Sequence, residues 1–390
     1  MCRKLGALLA VLICAAACSV APLAPDFQDV VWMDQEFGYE PTLVKVSAAS
    51  LFALDPEVVQ SLRSAPELAG ADPAASRRYL LTILFGPEMK AFAYAGGHST
   101  TAAETWRNQR GDCLSLSVLS IGLARMLNLQ AQLQEVRVPA SFNRRGRIDF
   151  LNAHVNVLLR ADGPLHIAGR GQPTRDVLID FEPRIGSRQR GTPLSDAAVL
   201  ARFLNNVASQ QLALDNDRLA YAHFKAAIVA EPSYSASYSN LAQLYLRAGQ
   251  VRAAEALLRR ALSLNYANDL ALDSLHRLLL SQDRAAEAEV YEQRRMARRE
   301  QDPYYWHGLG LEHLSQAQYS AAVAALERAQ SLTTGFDEVH RNLAIAYWYN
   351  GQLHKARDQL AVLEALGAHD ADTKQLSRKL KPVASTHHPP

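Results

Sequence analysis

The chain has 390 residues, 48% of them hydrophobic, enough to bury the cores of two or three domains at about 100 to 200 residues each, and disorder over most of its length is excluded. Forty-one Lys and Arg stand against thirty-nine Asp and Glu, and losing Arg3 and Lys4 with the leader described next would leave the two signs equal. A nucleic-acid partner is not expected, because neutralising phosphates needs a net basic surface.

Arg3-Lys4 is followed by the apolar run Leu5 to Ala17, and Ala15-Ala16-Ala17-Cys18 closes it with small residues, the pattern of a secretory signal peptide over 1–17. The run is too short to span about 30 Å of hydrocarbon. Its ending resembles a bacterial lipobox, which implies lipidation of Cys18 and a mature protein hung from its own N-terminus. In lipoproteins of that kind, Ser19 rather than Asp at the next position implies the outer membrane, facing the periplasm. Cys2 and Cys14 leave with such a leader, so Cys113 is the one thiol expected in the folded body. From 18 to 39 the chain is rich in Ala, Pro and Asp without a period and reads as a tether.

Helical patterns follow over Ser47 to Leu54, Pro56 to Arg63 and Pro73 to Phe85, and Ser99-Thr100-Thr101-Ala102 opens another toward Arg110. Gly111 breaks it. After Cys113, apolar residues from Leu116 to Leu127 read as a largely buried helix. The chain then turns to strand, with Gln130 to Val138, Ala153 to Leu159 and Val177 to Phe181 separated by polar loops over Ser141 to Asp149 and Arg160 to Thr174. Residues 40–196 are thus expected to form an α+β domain.

Beyond it the sequence repeats every 34 residues, in windows starting at Ala201, Ser235, Asp269, Pro303 and Asp337. The twentieth residue is Ala in all five, namely Ala220, Ala254, Ala288, Ala322 and Ala356, and the seventh is Val207, Leu241, Leu275, Leu309 and Leu343. Small residues there let two helices approach closely, the packing demand of a helix-turn-helix unit. The pattern resembles the tetratricopeptide repeat (TPR), with Trp306, Leu309-Gly310 and Pro232 at places the family favours, which implies five repeats over 201–370 in an all-α solenoid. The third window departs from it, with His276 in place of a small residue and Glu292 and Arg295 in place of apolar ones, and is expected to be looser. Residues 371–390, with charge, Pro and His but little to bury, read as a flexible tail.

Around the thiol the sequence is Gly111-Asp112-Cys113-Leu114-Ser115. A thiolate at a helix N-terminus sees unpaired N–H groups and the positive end of the helix dipole, which raise its reactivity. An adjacent His can take the proton and an Asp can orient the ring. The stretch resembles the transglutaminase-like superfamily, a papain-like group. Ala153-His154-Val155-Asn156-Val157 is similar to that family's His strand and Ile179-Asp180-Phe181-Glu182-Pro183 to its Asp strand. The resemblance implies Cys113 as nucleophile, His154 as base and Asp180 as orienting group, acting on a peptide or isopeptide bond through a thioester. Where the family often carries Trp two residues after the His, this chain has Asn156. The Cys113 N–H is the obvious first oxyanion donor; Gln109 and Trp106 are candidates for the second, and His166 and Asp176 are fallback partners. No cofactor or metal is implied: no His/Cys cluster has zinc spacing, and Gly169-Arg170-Gly171 lacks the following helix of a phosphate cradle.

Stacked repeats present a groove for a protein or peptide. In this register its candidate lining residues are Asn205, Gln243, Arg247 and Arg277 from the first three windows and His307, Arg341 and Trp348 from the last two. Two functions remain open: an envelope lipoprotein that catalyses acyl transfer, favouring hydrolysis over transamidation, with repeats that recruit its substrate, or a non-catalytic adaptor in which the repeats do the work of assembly. The membrane partner in either case is reached only through the lipid at Cys18.

Overall fold

The structure, a computed structural model, describes residues 30–68, 72–86, 92–95, 99–145, 148–161, 176–181, 190–332, 337–365 and 371–380. The expected lipidation site Cys18, the fallback residue His166, the Gly169-Arg170-Gly171 loop and the tail beyond 380 lie outside these. Among the described residues no helix is long and apolar enough to cross a membrane.

The α+β unit opens with three short helices, α1 (Ala48–Phe52), α2 (Pro56–Arg63) and α3 (Pro73–Phe85), at the places their patterns predict. Ser47 caps α1, and Asp72 with Pro73 starts α3. A two-residue strand β1 (Ala93–Tyr94) precedes α4 (Ala102–Asn108), where Thr101 and Glu104 form a capping box. Gln109 ends that helix in the left-handed region at φ 52°. Strand β2 (Arg110–Gly111) then pairs in parallel with β1 and leads directly into α5 (Cys113–Met126).

α5 buries every residue from Leu114 to Ala124, because its sequence is apolar on all sides and its serines are small enough to be enclosed. It packs across an antiparallel sheet of strand order β5-β4-β3-β6, made of β3 (Ala131–Arg145), β4 (Ile148–Leu159), β5 (Val177–Ile179) and β6 (Thr192–Pro193). Within the polar stretch expected to be a loop from Ser141 to Asp149, residues 141–145 and 148–149 are instead strand, the end of β3 and the start of β4. Arg145 pairs with Ile148 and Ser141 with Asn152, beyond a register shift after Val136. The consecutive polar residues Asn143, Arg144 and Arg145 show no alternation that would signal a strand, which is why composition alone misread the stretch.

Five helix pairs follow: α6 (Asp196–Ala213) with α7 (Asp217–Ala230), α8 (Ser235–Arg247) with α9 (Val251–Leu264), α10 (Asp269–Ser281) with α11 (Ala285–Gln301), α12 (Pro303–Ser315) with α13 (Tyr319–Leu332), and α14 (Asp337–Tyr349) with α15 (Leu353–Ala365). The five alanines at window position twenty are all fully buried. Gly310 shows why small residues are required: a Cβ there would lie 2.5 Å from Leu326 Cγ. α6 belongs to two cores at once. Val199, Phe203 and Leu204 join the core of the α+β unit, while Ala208 and Leu212 join that of the repeats.

The departures of the third window show in its second helix alone: α10 is well buried, with Leu270, Leu272, Leu275 and Leu279 enclosed. α11 has 17 residues and buries only Ala288, so the apolar core is interrupted there. His276, in the place of a small residue, bonds through Nδ1 to the Ala288 carbonyl at 3.1 Å. The basic run nearby is held by local partners, Arg295 pairing with Glu292 at 2.5 Å and Arg298 with Asp269.

Two terminal segments expected to be loose are docked. Residues 30–40, the end of the expected tether, form a strap against the first two pairs. Val30, Met33 and Phe37 are buried in the repeat core, Phe37 stacking on Tyr221 at 4.8 Å and on Tyr245 at 5.8 Å. Asp34 accepts from Lys225 at 2.7 and 2.8 Å and from Tyr221 Oη at 2.8 Å, and Lys225 lies 4.3 Å from the Tyr39 ring centre. Arg218 binds the Gly38 carbonyl at 2.7 Å and Glu40 at 2.6 Å. At the other end, where a flexible tail is expected from 371, α16 (Ala371–Leu380) caps the last pair and buries Leu376 and Leu380 in its core. A terminal helix that covers an otherwise open apolar face is what a repeat stack needs.

Candidate active site

Cys113 is the first residue of α5, and its thiol is partly buried. The helix packs across β4, the strand that carries His154, and the pairing of β4 with β5 brings Asp180, the residue after β5, alongside it. His154 Nε2 and Asp180 Oδ2 are 2.9 Å apart, with side chains 2% and 10% exposed. With Nε2 donating to that carboxylate, Nδ1 carries the lone pair that can accept a proton. Two of the three sequence-predicted residues are thus in direct contact, and the third begins the helix laid across them.

The start of α5 is heavily organised. Asp112, the N-cap, accepts from Ser115 N–H at 2.7 Å, from Ser115 Oγ at 2.6 Å and from Ser99 Oγ at 2.6 Å. Ser115 is fully buried and its Oγ accepts in turn from Thr100 N–H at 2.8 Å. Gly111 has to be glycine, because a Cβ would sit 2.6 Å from that of Ser115. Sequence reasoning missed Ser99, Asp112 and Ser115. The Asp-x-x-Ser spacing ahead of an apolar run was the available signal for the cap, but nothing in the chain marks Ser99.

The remaining candidates fall differently. Gln109 directs Nε2 to the Trp106 carbonyl at 2.6 Å, closing the end of α4, and Trp106 packs against Phe92 with ring centres 5.9 Å apart. Both are thus engaged in holding α4. Asp176 is no partner for His154: it accepts from Ala161 N–H at 2.9 Å and pairs with Arg190 at 2.6 Å. The Ala161 N–H, with the Arg190 and Arg160 charges, holds its carboxyl below the usual range. Asn156 is fully buried. No group of three His, Cys, Asp or Glu among the described residues is placed to hold a metal.

Most of the expected groove residues join neighbouring repeats to one another. Asn205 accepts from Asn240 Nδ2 at 3.1 Å, Gln243 donates to Ser274 at 3.0 Å, and His307 Nε2 meets Asn342 Nδ2 at 2.9 Å. Arg247 reaches back to the Leu212 carbonyl at 2.7 Å and to Asp215 at 2.8 Å. Arg341 contacts Thr373 of α16 at 3.4 Å, and Trp348 lies under Lys379 of the same helix at 5.4 Å. Arg277 is exposed and pairs with Asp273 at 2.8 Å on its own helix. Burial pushes His307 down to about 4, so it is neutral at pH 7.

Residues 235–268, the second window, match the family model of the tetratricopeptide repeat. Similar solved structures include YrrB, described as a TPR protein with an unusual peptide-binding site, at 17% identity over 46% of this chain and 92% of YrrB with a TM-score of 0.24. Pseudomonas aeruginosa pilF is similar at 18% identity over 48% of this chain and 85% of that one, with a TM-score of 0.27. PilW, a type IV pilus biogenesis factor, is similar at 21% identity over 46% and 84%, with a TM-score of 0.25. Comparison with the curated proteins finds no match. The C-terminal part of the chain is a helical solenoid of the TPR kind.

Proposed function

We propose that the chain is a lipid-anchored envelope protein whose α+β unit, transglutaminase-like in kind, performs acyl transfer at Cys113, His154 and Asp180, with the repeats recruiting a protein or peptide. The observation that carries the catalytic part is the buried 2.9 Å pairing of His154 with Asp180 beside the helix that Cys113 begins. In this reading the Cys113 thiolate attacks the carbonyl carbon of a peptide or isopeptide bond. His154, having taken the thiol proton, passes it to the leaving amine, and a thioester remains. Water then attacks that thioester while His154 accepts its proton, and the proton returns to sulfur as the acid leaves. The Cys113 N–H supplies one oxyanion contact. An amine in place of water would give transamidation.

Protein or peptide binding follows from the repeat match and is shared with the adaptor reading. Anchoring at Cys18, facing the periplasm from the outer membrane, follows from the leader pattern. The test is iodoacetamide labelling of Cys113 across about pH 4 to 9 in the chain carrying Cys2→Ser, Cys14→Ser and Cys18→Ser. An activated thiolate labels fast below pH 7 and loses that advantage in His154→Ala. Labelling that follows an ordinary thiol near about pH 8.5 in both proteins would leave the repeats as the seat of function.

A further inference from the structure

Window position six holds Asn206, Asn240 and Asn342 in the first, second and fifth repeats. Two of these reach back one repeat, Asn240 Nδ2 to Asn205 at 3.1 Å and Asn342 Nδ2 to His307 at 2.9 Å. The first repeat has no repeat before it. There Asn206 Nδ2 donates instead to Ser99 Oγ at 3.1 Å, so the loop ahead of α4 stands where the first helix of a preceding repeat would.

The consequence runs through one proton. Ser99 is buried and its hydroxyl carries a single hydrogen. Accepting from Asn206 aligns that hydrogen toward Asp112 Oδ2, 2.6 Å away. Asp112 is the N-cap of α5 and the chain neighbour of Cys113, and its other oxygen holds Ser115 N–H. A hydrogen bond from Ser99 draws negative charge away from the carboxylate next to the sulfur. It also keeps the carboxylate turned to its cap, so the first-turn N–H groups stay aimed at the start of the helix. Both effects favour the thiolate.

We propose that Asn206, in the first repeat, is a positioning residue for Cys113, acting through Ser99 and Asp112, so that the solenoid sets the reactivity of the thiol. The inference rests on the reading of Cys113 as a nucleophile. It makes the two units one working site: the α+β unit docks as a repeat ahead of the first, and the contact that docks it ends on the cap of the nucleophile's helix.

The probe is iodoacetamide, reacted with the full chain in which Cys2, Cys14 and Cys18 are serine. Asn206→Ala is expected to slow alkylation of Cys113 at pH 7 roughly two- to tenfold, the range of one neutral hydrogen bond, and Ser99→Ala, which removes a bond to a carboxylate, at least as much; both are expected to move the midpoint of its pH profile upward. The double variant is expected to be no slower than Ser99→Ala alone, because the two bonds act in series. Asn206→Asp keeps the shape but places an acceptor opposite Ser99, which draws the hydroxyl proton away from Asp112; it is expected to slow alkylation at least as much as Asn206→Ala. Additive effects, or an unchanged rate in Asn206→Asp and Asn206→Ala while His154→Ala slows labelling, would overturn the coupling and leave the catalytic reading standing. If His154→Ala leaves labelling unchanged, the reading of Cys113 fails instead.

Discussion

Replacing Phe37 with Ala separates a strap from a tether. Phe37 is 9% exposed, and its ring centre lies 4.8 Å from that of Tyr221 and 5.8 Å from that of Tyr245. Truncating a buried Phe costs about 3 to 5 kcal/mol, the stacking included. On either side Asp34 stays tied to Lys225 and Tyr221, and Glu40 to Arg218, so the backbone is held in place and the space left by the ring cannot close by local collapse. Phe37 is not wholly withdrawn from solvent, however, so the expected loss is about 3 kcal/mol, the low end of the range. The assay is urea denaturation followed by far-UV circular dichroism, paired with limited proteolysis of residues 30–40. A loss below about 0.5 kcal/mol, the size of an ordinary surface substitution, with unchanged protease sensitivity, would refute the packing argument.

Asp34 gives the same contact a pH signature. Burial raises its pKa, but the bonds from Lys225 and Tyr221 and the Lys225 charge outweigh this and hold it below the ordinary Asp range. The strap's contribution is therefore constant above about pH 4 and is lost as pH falls through the lowered value, whereas Asp34→Asn should show no such acid-dependent part in denaturation at a series of pH values. His307, pushed down to about 4 by burial, stays neutral in the fold where an unfolded His would protonate near about 6.5. Stability should fall by about 1 kcal/mol per unit as pH drops from 6.5 toward 4, and His307→Gln should flatten that slope; an NMR titration placing the His307 midpoint near 6.5 would contradict this. Gly310→Ala should cost about 1 to 3 kcal/mol by driving a Cβ into Leu326, and melting measurements that show gain instead of loss would mean that α12 and α13 have room to part.

What was legible in the sequence was periodic or clustered. Five alanines at one position announced five close helix contacts, and all five are fully buried. The breaks in the third window were equally visible, and they coincide with the one helix that buries only an alanine. Cys113, His154 and Asp180 were nominated by the resemblance of three short stretches to one superfamily, and the sheet register brings the last two together. The strap was not legible: Val30, Met33 and Phe37 form too short a pattern to register as an element, and their partners lie near 221 and 245. α16 buries a leucine on each of two successive turns, too brief a signal against its charged surroundings.

The polar residues of the first helices show the limit of register reasoning most clearly. Polarity in such a register has two uses, contact with a ligand and contact with the next repeat, and composition does not distinguish them. The distances do. Asn205, Gln243 and His307 each meet a side chain from an adjacent repeat, with partners 31 to 35 residues away. Such bonds fix the angle between successive pairs where apolar packing alone would leave it soft, since a buried amide whose partner moved would lose the bond at a cost of about 1 to 3 kcal/mol. Asn205 and Gln243 join the first three pairs in this way, and His307 joins the last two, so geometry is passed from pair to pair within those runs. At the first pair the same kind of bond goes to Ser99 rather than to another repeat, and so the geometry of the first run reaches the helix that begins with Cys113.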